Sequence, residues 1–452
     1  MPHASLDMSD LRPAAREAAL ALSGAAPESL RATRLLAALD YGACDRRESR
    51  HRAALLNAAA DFKRLFLLQP PDAPGAIAMG GEIDPAPTGL GPLPVVSVSG
   101  IGGSVREAFE KCVGEGIETM SIWSSPPAVL ARRTMAEISI GAPEAYRRLW
   151  DDLAPYWRTP VTSPAGRSTD CVEARAIVDA SPIWLPADLC WARTETAREL
   201  DLPWPISTGC AAAPDKTMAA ILGLLELIER DAAALWWCAG RPARPLPVDD
   251  PAAAETAALL MQLRGGVTGR TSRLLDITSD IGVPVIAAVS CASDGSAVCC
   301  GQSARPTRRA AARSAVLEMC QIELGARIAQ IKHIEFGEAA LCATDLGHLR
   351  RMAEINAAEH PSLRAEPPPS ALPDMPRLDP AALLDLLCKS LARVGLTACV
   401  VELGRADIGV PVIRAACPGL QPAAKPPITA RLSAAALQYG RPLHCWPSGL
   451  ML

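Results

Sequence analysis

Apolar residues return every three to four positions from residue 8 to about 70, in the runs Leu11–Leu22, Leu30–Leu39 and Arg50–Leu68. That period predicts a set of N-terminal helices. Glycine and proline concentrate between Pro70 and Pro94, and the stretch reads as a loop and a domain boundary. Beyond it, Val95–Ser99 predicts a strand running through Gly100-Ile101-Gly102-Gly103 into a helix over Val105–Met120. Residues 122–205, rich in Trp, Pro and Arg, predict a helix over Ala142–Leu153 and a strand over Ala174–Val178, with no identifiable chemistry. The run Lys216–Trp237 is apolar nearly all round, as a buried helix is. Strands over Ser272–Thr278 and Val283–Val289, joined by Asp280-Ile281-Gly282, precede Gly301–Arg305 and a helix over Thr307–Lys332. Residues 361–377, with Pro367-Pro368-Pro369, read as a linker. Leu396–Leu403 and Val410–Ala416 predict two further strands. The Asp-Ile-Gly-Val-Pro-Val segment at 280–285 returns at 407–412, which is open to duplication and to coincidence alike. Helices and strands in this order predict an α/β (α+β) protein with helices packed on mixed sheets.

The chain has 452 residues, 49% hydrophobic and 21% charged, so it is globular and, by length alone, suggests two or three domains. A net charge of −4 argues against a nucleic-acid binder that relies on bulk positive charge. The first residues hold no apolar run of the signal-peptide type, and later apolar runs are cut by charge short of membrane length. A cytoplasmic protein with no membrane partner is expected. Fifteen cysteines include no Cys-x-x-Cys pair and no Cys/His set at zinc spacing, so they read as small hydrophobes. Adjacent Cys299 and Cys300 would face opposite sides of a strand, which favours a core role over a redox one. Trp236 and Trp237 likewise favour core packing over ligand stacking.

Glu226 and Glu229 stand three apart in the Lys216–Trp237 helix and so share a face. Carboxylates on a buried helix are costly unless paired or metal-bound; the pattern is open to a metal ion and to a solvated stripe neutralised by Arg230. The Val105–Met120 helix carries Glu115 and Glu118 at the same spacing, with Gly114 and Gly116 allowing close approach of backbone or phosphate. Two such pairs facing each other suit Mg2+ held with a nucleotide triphosphate, because phosphates and waters fill most of the octahedron. The third helix sets Arg313, Glu318 and Gln321 in a largely apolar run. The strand and glycine turn at 95–103 lack both a Walker lysine and the dinucleotide fingerprint.

Over roughly residues 95 to 422 these segments resemble the YcaO family. Gly100-x-Gly102, Ala108 and Glu115-x-x-Glu118 resemble its first motif. Gly209-x-Ala211-Ala212 running on to Glu226, Glu229, Arg230 and Asp231 resembles its second, and Arg313, Glu318 and Gln321 its third. Val410-Pro411-Val412 with Pro418-Gly419-Leu420 resembles its late strand and turn. The resemblance implies a YcaO-type fold whose glutamate-bearing helices converge on ATP and Mg2+. It also implies activation of a peptide-backbone amide by phosphorylation of its carbonyl oxygen, a reaction in which positioning and charge neutralisation dominate. Glu115, Glu118, Glu226 and Glu229 are implied as metal ligands. Gly209, Ala211, Glu226, Glu229, Glu318 and Gln321 are implied at the nucleotide, and Arg230 and Arg313 as catalytic phosphate contacts. The implied organisation is an N-terminal helical extension (1–90), a catalytic domain (91–422) and a C-terminal tail (423–452), in a homodimer.

The first motif of the family commonly has Lys between its glycines and Arg after its second glutamate; here Ile101 and Thr119 stand there. The chain closes Cys445–Leu452 without the alternating prolines of many azoline-forming members, and no leader-binding domain is recognisable before residue 90. On that ground the expected function is thioamide formation in a ribosomally made peptide or protein, with a TfuA-like partner. An azoline-forming cyclodehydratase and a non-catalytic ATP-binding scaffold are the alternatives, the latter supported by Ile101 and Thr119.

Overall fold

The computed structural model describes residues 9–90, 94–123, 130–140, 142–159, 167–202, 206–247, 249–364, 374–423 and 428–443. The Pro367–Pro369 linker and the Cys445–Leu452 terminus of the sequence reading lie outside the described residues.

The helices α1 (Arg12–Leu22), α2 (Leu30–Ala38) and α3 (Arg46–Ala60) open the chain. The side chains of Ser29 and Asp45 cap α2 and α3, accepting from Ala32 N at 3.1 Å and Glu48 N at 2.8 Å. Helix does not continue to Leu68: Arg64–Leu68 is strand β1, and the stretch read as a loop contains strand β2, Ile77–Ile83. Gly80 and Gly81, which read as loop residues, lie beneath aromatic rings. A Cβ there would stand 2.7 Å from the Phe66 ring and 2.8 Å from that of Phe62. β2 pairs antiparallel with both β1 and β3 (Val96–Gly102), and β3 leads into α4 (Val105–Ile122).

A second sheet holds β4 (Ala131–Thr134), β5 (Ser168–Ala176), β6 (Pro182–Pro186), β7 (Cys210–Ala212), β12 (Cys399–Glu402) and β13 (Val412–Ala416), in the order β4-β5-β12-β13-β7 with β6 beside β5. β5 begins earlier than the periodicity predicts and stops at Ala176. Helices α5 (Met135–Ser139) and α6 (Glu144–Leu153) lie between β4 and β5 in the chain. The third sheet runs β11 (Cys299–Ala304), β10 (Val285–Ala292), β9 (Arg270–Asp276), β8 (Arg244–Pro245). Every ladder between these strands is antiparallel. The repeated Asp-Ile-Gly segments join β9 to β10 and β12 to β13, with Gly282 at φ +80 and Gly409 at φ +73.

Three helices lie on these sheets and bring them together. α4 packs on β2, β3 and β7; α7 (Lys216–Trp237) packs on β7, β13 and β11; α9 (Arg308–Phe336) packs on β10, β11 and β3. α7 buries Ile221, Leu224, Leu225 and Ile228 almost fully, each contributing roughly 1.5–3 kcal/mol. Trp236 and Trp237 are core residues, and Trp236 donates to the Ser362 carbonyl at 2.8 Å. The further α-helices among the described residues are α8 (Pro251–Arg264), α10 (Ala343–Glu354), α11 (Pro380–Arg393) and α12 (Ala430–Gln438). Between α8, α9 and the third sheet, buried Glu323 takes both Arg264 Nη atoms at 2.6 and 2.8 Å, Arg270 Nε at 3.1 Å and the Ser290 hydroxyl. Among the described residues every cysteine is free, Cys299 and Cys300 are buried, and no helix is long and apolar enough to cross a membrane.

Candidate active site

Each sheet ends, where the three helices meet, in an edge strand: β3, β7 and β11. The outward N–H groups of such strands have no ladder partner. Here helix carboxylates take them. Ser99 N donates to Glu115 at 2.9 Å and Ala212 N to Glu118 at 2.8 Å. Gln302 N donates to Glu318 at 2.6 Å and Ala304 N to Glu229 at 3.1 Å, while Gly209 N, just before β7, donates to Glu226 at 2.9 Å. The spacing is set by strand, turn and cap. Ser104, Asp215 and Thr307 cap α4, α7 and α9 by accepting from Glu107 N, Met218 N and Ala310 N. Each helix then returns its glutamate to the strand it followed, 16 residues on for Ser99 and Gln302 and 17 for Gly209. One oxygen of every glutamate is thereby anchored, and the second oxygen of Glu226 faces Arg230 at 3.6 Å.

Glu226 stands at the electrostatic centre. Burial, with Glu226 adding, pushes the Glu115 carboxyl up to about 7, although solvent reaches it from an open cleft. Burial, then Glu226 and Glu115, push Glu118 well above the carboxylate range. Burial and Glu318 push Glu229 up to about 8, and burial also raises Glu318, with Glu226 a contributor to both. Against five carboxylates the centre sets Arg230, 3.6 Å from Glu226, and Arg305, which acts on Glu229 and Glu318 and donates to the Ala304 carbonyl at 2.7 Å. The excess of carboxylates leaves room for further positive charge. Among the described residues no three His, Cys, Asp or Glu side chains stand close enough to hold a metal ion by themselves. Mg2+ takes one or two carboxylates together with phosphate oxygens and water; single free oxygens on separate elements fit that ion in the company of a polyphosphate.

The remaining expected residues fall around this centre. Ala211 lies in β7, paired with Ile413, one residue before the Ala212 N–H that holds Glu118. Gln321 does not point at the glutamates: its amide donates to Ser99 Oγ at 2.8 Å and ties α9 to β3. Arg313 is 47% exposed and held in two bonds of 2.6 Å by Glu107. Arg313 and Lys111 hold the Glu107 carboxyl at about 2 against the upward push of its burial. Glu107, Lys111 and Arg305 escaped the sequence reading. Lys111 carried a signal, since it is one turn before Glu115 on the same face. Its ammonium lies 2.9 Å from the carbonyl of Ile101, the buried residue that replaces the expected lysine.

The raised carboxyls fix a pH dependence. Between about pH 6.5 and pH 8 unfolded glutamates are ionised, while folded Glu115 loses its proton only through about 7 and Glu229 only through about 8. The native state binds the more protons, so stability falls as pH rises through this window. His348 and His360, lowered by burial to about 4, act in the opposite sense, and only below their ordinary range. Thermal melts of the ligand-free protein should therefore fall across the window, and fall less steeply in Glu229→Gln, where Glu115 still titrates. Melting temperatures that climb would contradict the assignment.

A family model described as "YcaO cyclodehydratase, ATP-ad Mg2+-binding" matches residues 99–421. No curated protein matches the chain. Among solved structures, a heterocyclase in complex with substrate and cofactor is similar at TM-score 0.61 and 20% identity, over 83% of this chain and 52% of that one. The YcaO protein from Methanopyrus kandleri bound with AMPPCP and Mg2+ is similar at TM-score 0.56 and 20% identity, over 83% and 90%. The heterocyclase TruD is similar at TM-score 0.53 and 22% identity, over 69% and 45%. The chain thus spans about half the length of the two heterocyclases.

Proposed function

The chain belongs to the YcaO family, and from that premise we propose that it binds Mg2+ and ATP among the glutamates of α4, α7 and α9 and activates a backbone amide of a peptide or protein. The observation that carries this reading is the set of five anchored carboxylates against which Arg230 and Arg305 are set. Glu115, Glu118, Glu226 and Glu229 would hold the metal, and Glu318 lies beside them. Gly209 and Ala211 set the turn and strand from which Glu226 and Glu118 are anchored. Arg230 would balance charge on the phosphates, and Arg313, once released by Glu107, would do the same from the solvent side. Gln321 supports the site by holding Ser99. When bound, ATP with Mg2+ supplies a phosphoryl group that turns the amide oxygen into a leaving group. The unit doing this is residues 91–422, with 1–90 as an extension whose strands β1 and β2 complete the sheet of β3.

The outcome we read from the sequence resemblance is a thioamide, made with a TfuA-like partner that delivers sulfur. The family's description and the heterocyclase names of its structural relatives support a second outcome, attack by a Cys, Ser or Thr side chain to close a ring. Mass spectrometry of a modified peptide separates the two: exchange of oxygen for sulfur against loss of one water.

The first test is isothermal titration with AMPPCP. Binding that requires Mg2+ is expected. No binding at millimolar nucleotide would overturn the assignment, and binding with no turnover on any peptide would leave the scaffold role.

A further inference from the structure

The cleft beside the glutamates continues past them. A cavity of about 530 Å3 lined by Glu107, Lys111, Glu115 and Glu118 shares Arg106, Glu110, Gly114 and Ala212 with a second, of about 370 Å3, whose other wall is α3 with Arg47, Glu48 and His51. Gly114 lies at the junction, in mid-helix, where glycine is the poorest residue short of proline. The other glycines inside α4, α7 and α9 have neighbours that require them. A Cβ at Gly116 would strike the Phe62 ring, at Gly223 it would lie 2.6 Å from the Gly209 carbonyl oxygen, and at Gly325 2.8 Å from the His348 ring. Around a Cβ at Gly114, its own helix backbone aside, no atom of the described residues lies within 4 Å. The protein itself gives no packing reason for that glycine; a ligand passing close over the helix does.

We propose that the peptide segment carrying the amide to be activated lies across Gly114, in the cleft between α3, α4 and β7. The proposal rests on the amide-activation reading above. The charges lining the outer cavity are already matched: Arg47 with Asp215 at 2.9 Å, Arg52 with Glu48, and Arg106 with Glu110 at 2.9 Å. That leaves no spare cation among them for a second phosphate and suits an uncharged main chain. His51 adds a hydrogen-bonding ring, whose pKa burial pushes down against the opposing pull of Glu110 and Glu48. From Glu118 to Glu107 the cleft follows α4 for roughly 16 Å, the length of about five extended residues. Its outer wall, α3, precedes the family-matched residues, so the extension takes part in substrate binding.

The probe is an uncharged synthetic heptapeptide of Gly, Ser and Cys bearing one benzophenone side chain, photolysed with the full chain in the presence and absence of AMPPCP and Mg2+. Labels are expected within residues 45–55 and 106–114. Gly114→Met should reduce them at least tenfold, while Gly114→Ala keeps them, and both variants should melt at or above the wild-type temperature. Labels mapping elsewhere, no labels, or labels indifferent to Gly114→Met overturn the proposal. Loss of AMPPCP binding in Gly114→Met would also overturn it, giving the cleft to the nucleotide. Cleft labelling in a protein that binds no AMPPCP would count against the nucleotide reading alone.

Discussion

Replacing Glu229 by glutamine is expected to abolish Mg2+-dependent nucleotide turnover, by about a thousandfold or more, while the protein stays folded. Glutamine keeps an oxygen to accept the Ala304 N–H that Glu229 now accepts at 3.1 Å, so β11 and α7 remain tied. What it removes is the negative charge that Glu229 can take on beside Glu226 and Glu318 when a cation displaces its proton, at a point where charge is decisive for phosphoryl transfer. A single well-placed electrostatic group in such a site is typically worth about 10²–10³ in rate, and loss of a metal ligand adds to that. Titration with AMPPCP and Mg2+ alongside phosphate release separates the contributions. Turnover within tenfold of wild type would remove Glu229 from the metal-binding set.

A second large effect is expected far from the chemistry. Glu323→Ala should destabilise the protein by about 3–5 kcal/mol, the usual cost of leaving buried charges without their partner. Two guanidinium groups, Arg264 and Arg270, and the Ser290 hydroxyl converge on this one carboxylate. Urea denaturation should show the loss as a lower midpoint, and the remaining folded protein should bind AMPPCP as before. A shift below about 1 kcal/mol would mean that water replaces the carboxylate and that the network adds little.

Glu318 and Glu323 also mark how far the sequence could be read. They sit on one helix, both carboxylates in apolar surroundings, and nothing in the local pattern separates the residue that anchors β11 beside Glu229 from the one that clamps two arginines. Motif order assigned Glu318; only the sheet behind α9 assigns Glu323. The long helices over 105–122, 216–237 and 308–336 were legible because their apolar period is sustained over many turns. β1 and β2 were not, since their pairing is long-range and the glycines that accommodate Phe62 and Phe66 look like loop residues. The spacing of three between glutamates pointed to a shared target, and it pointed too simply. Glu226 is anchored at Gly209, just before β7 of the second sheet, and Glu229 at Ala304, in β11 of the third. Gln321 was grouped with the nucleotide by motif, whereas its partner is Ser99. Lys111 and Arg305 went unassigned because a lone basic residue has no pattern of its own.

An open strand edge invites another chain to pair with it. β3, β7 and β11 are such edges, and the side chains of Glu115, Glu118, Glu318 and Glu229 occupy N–H groups along them. The same carboxylates that await a ligand therefore shield three seams of the protein from self-association. A chain newly made, with its helices not yet docked, would expose all three at once, so completing this centre is also the moment at which the protein becomes safe from its own copies.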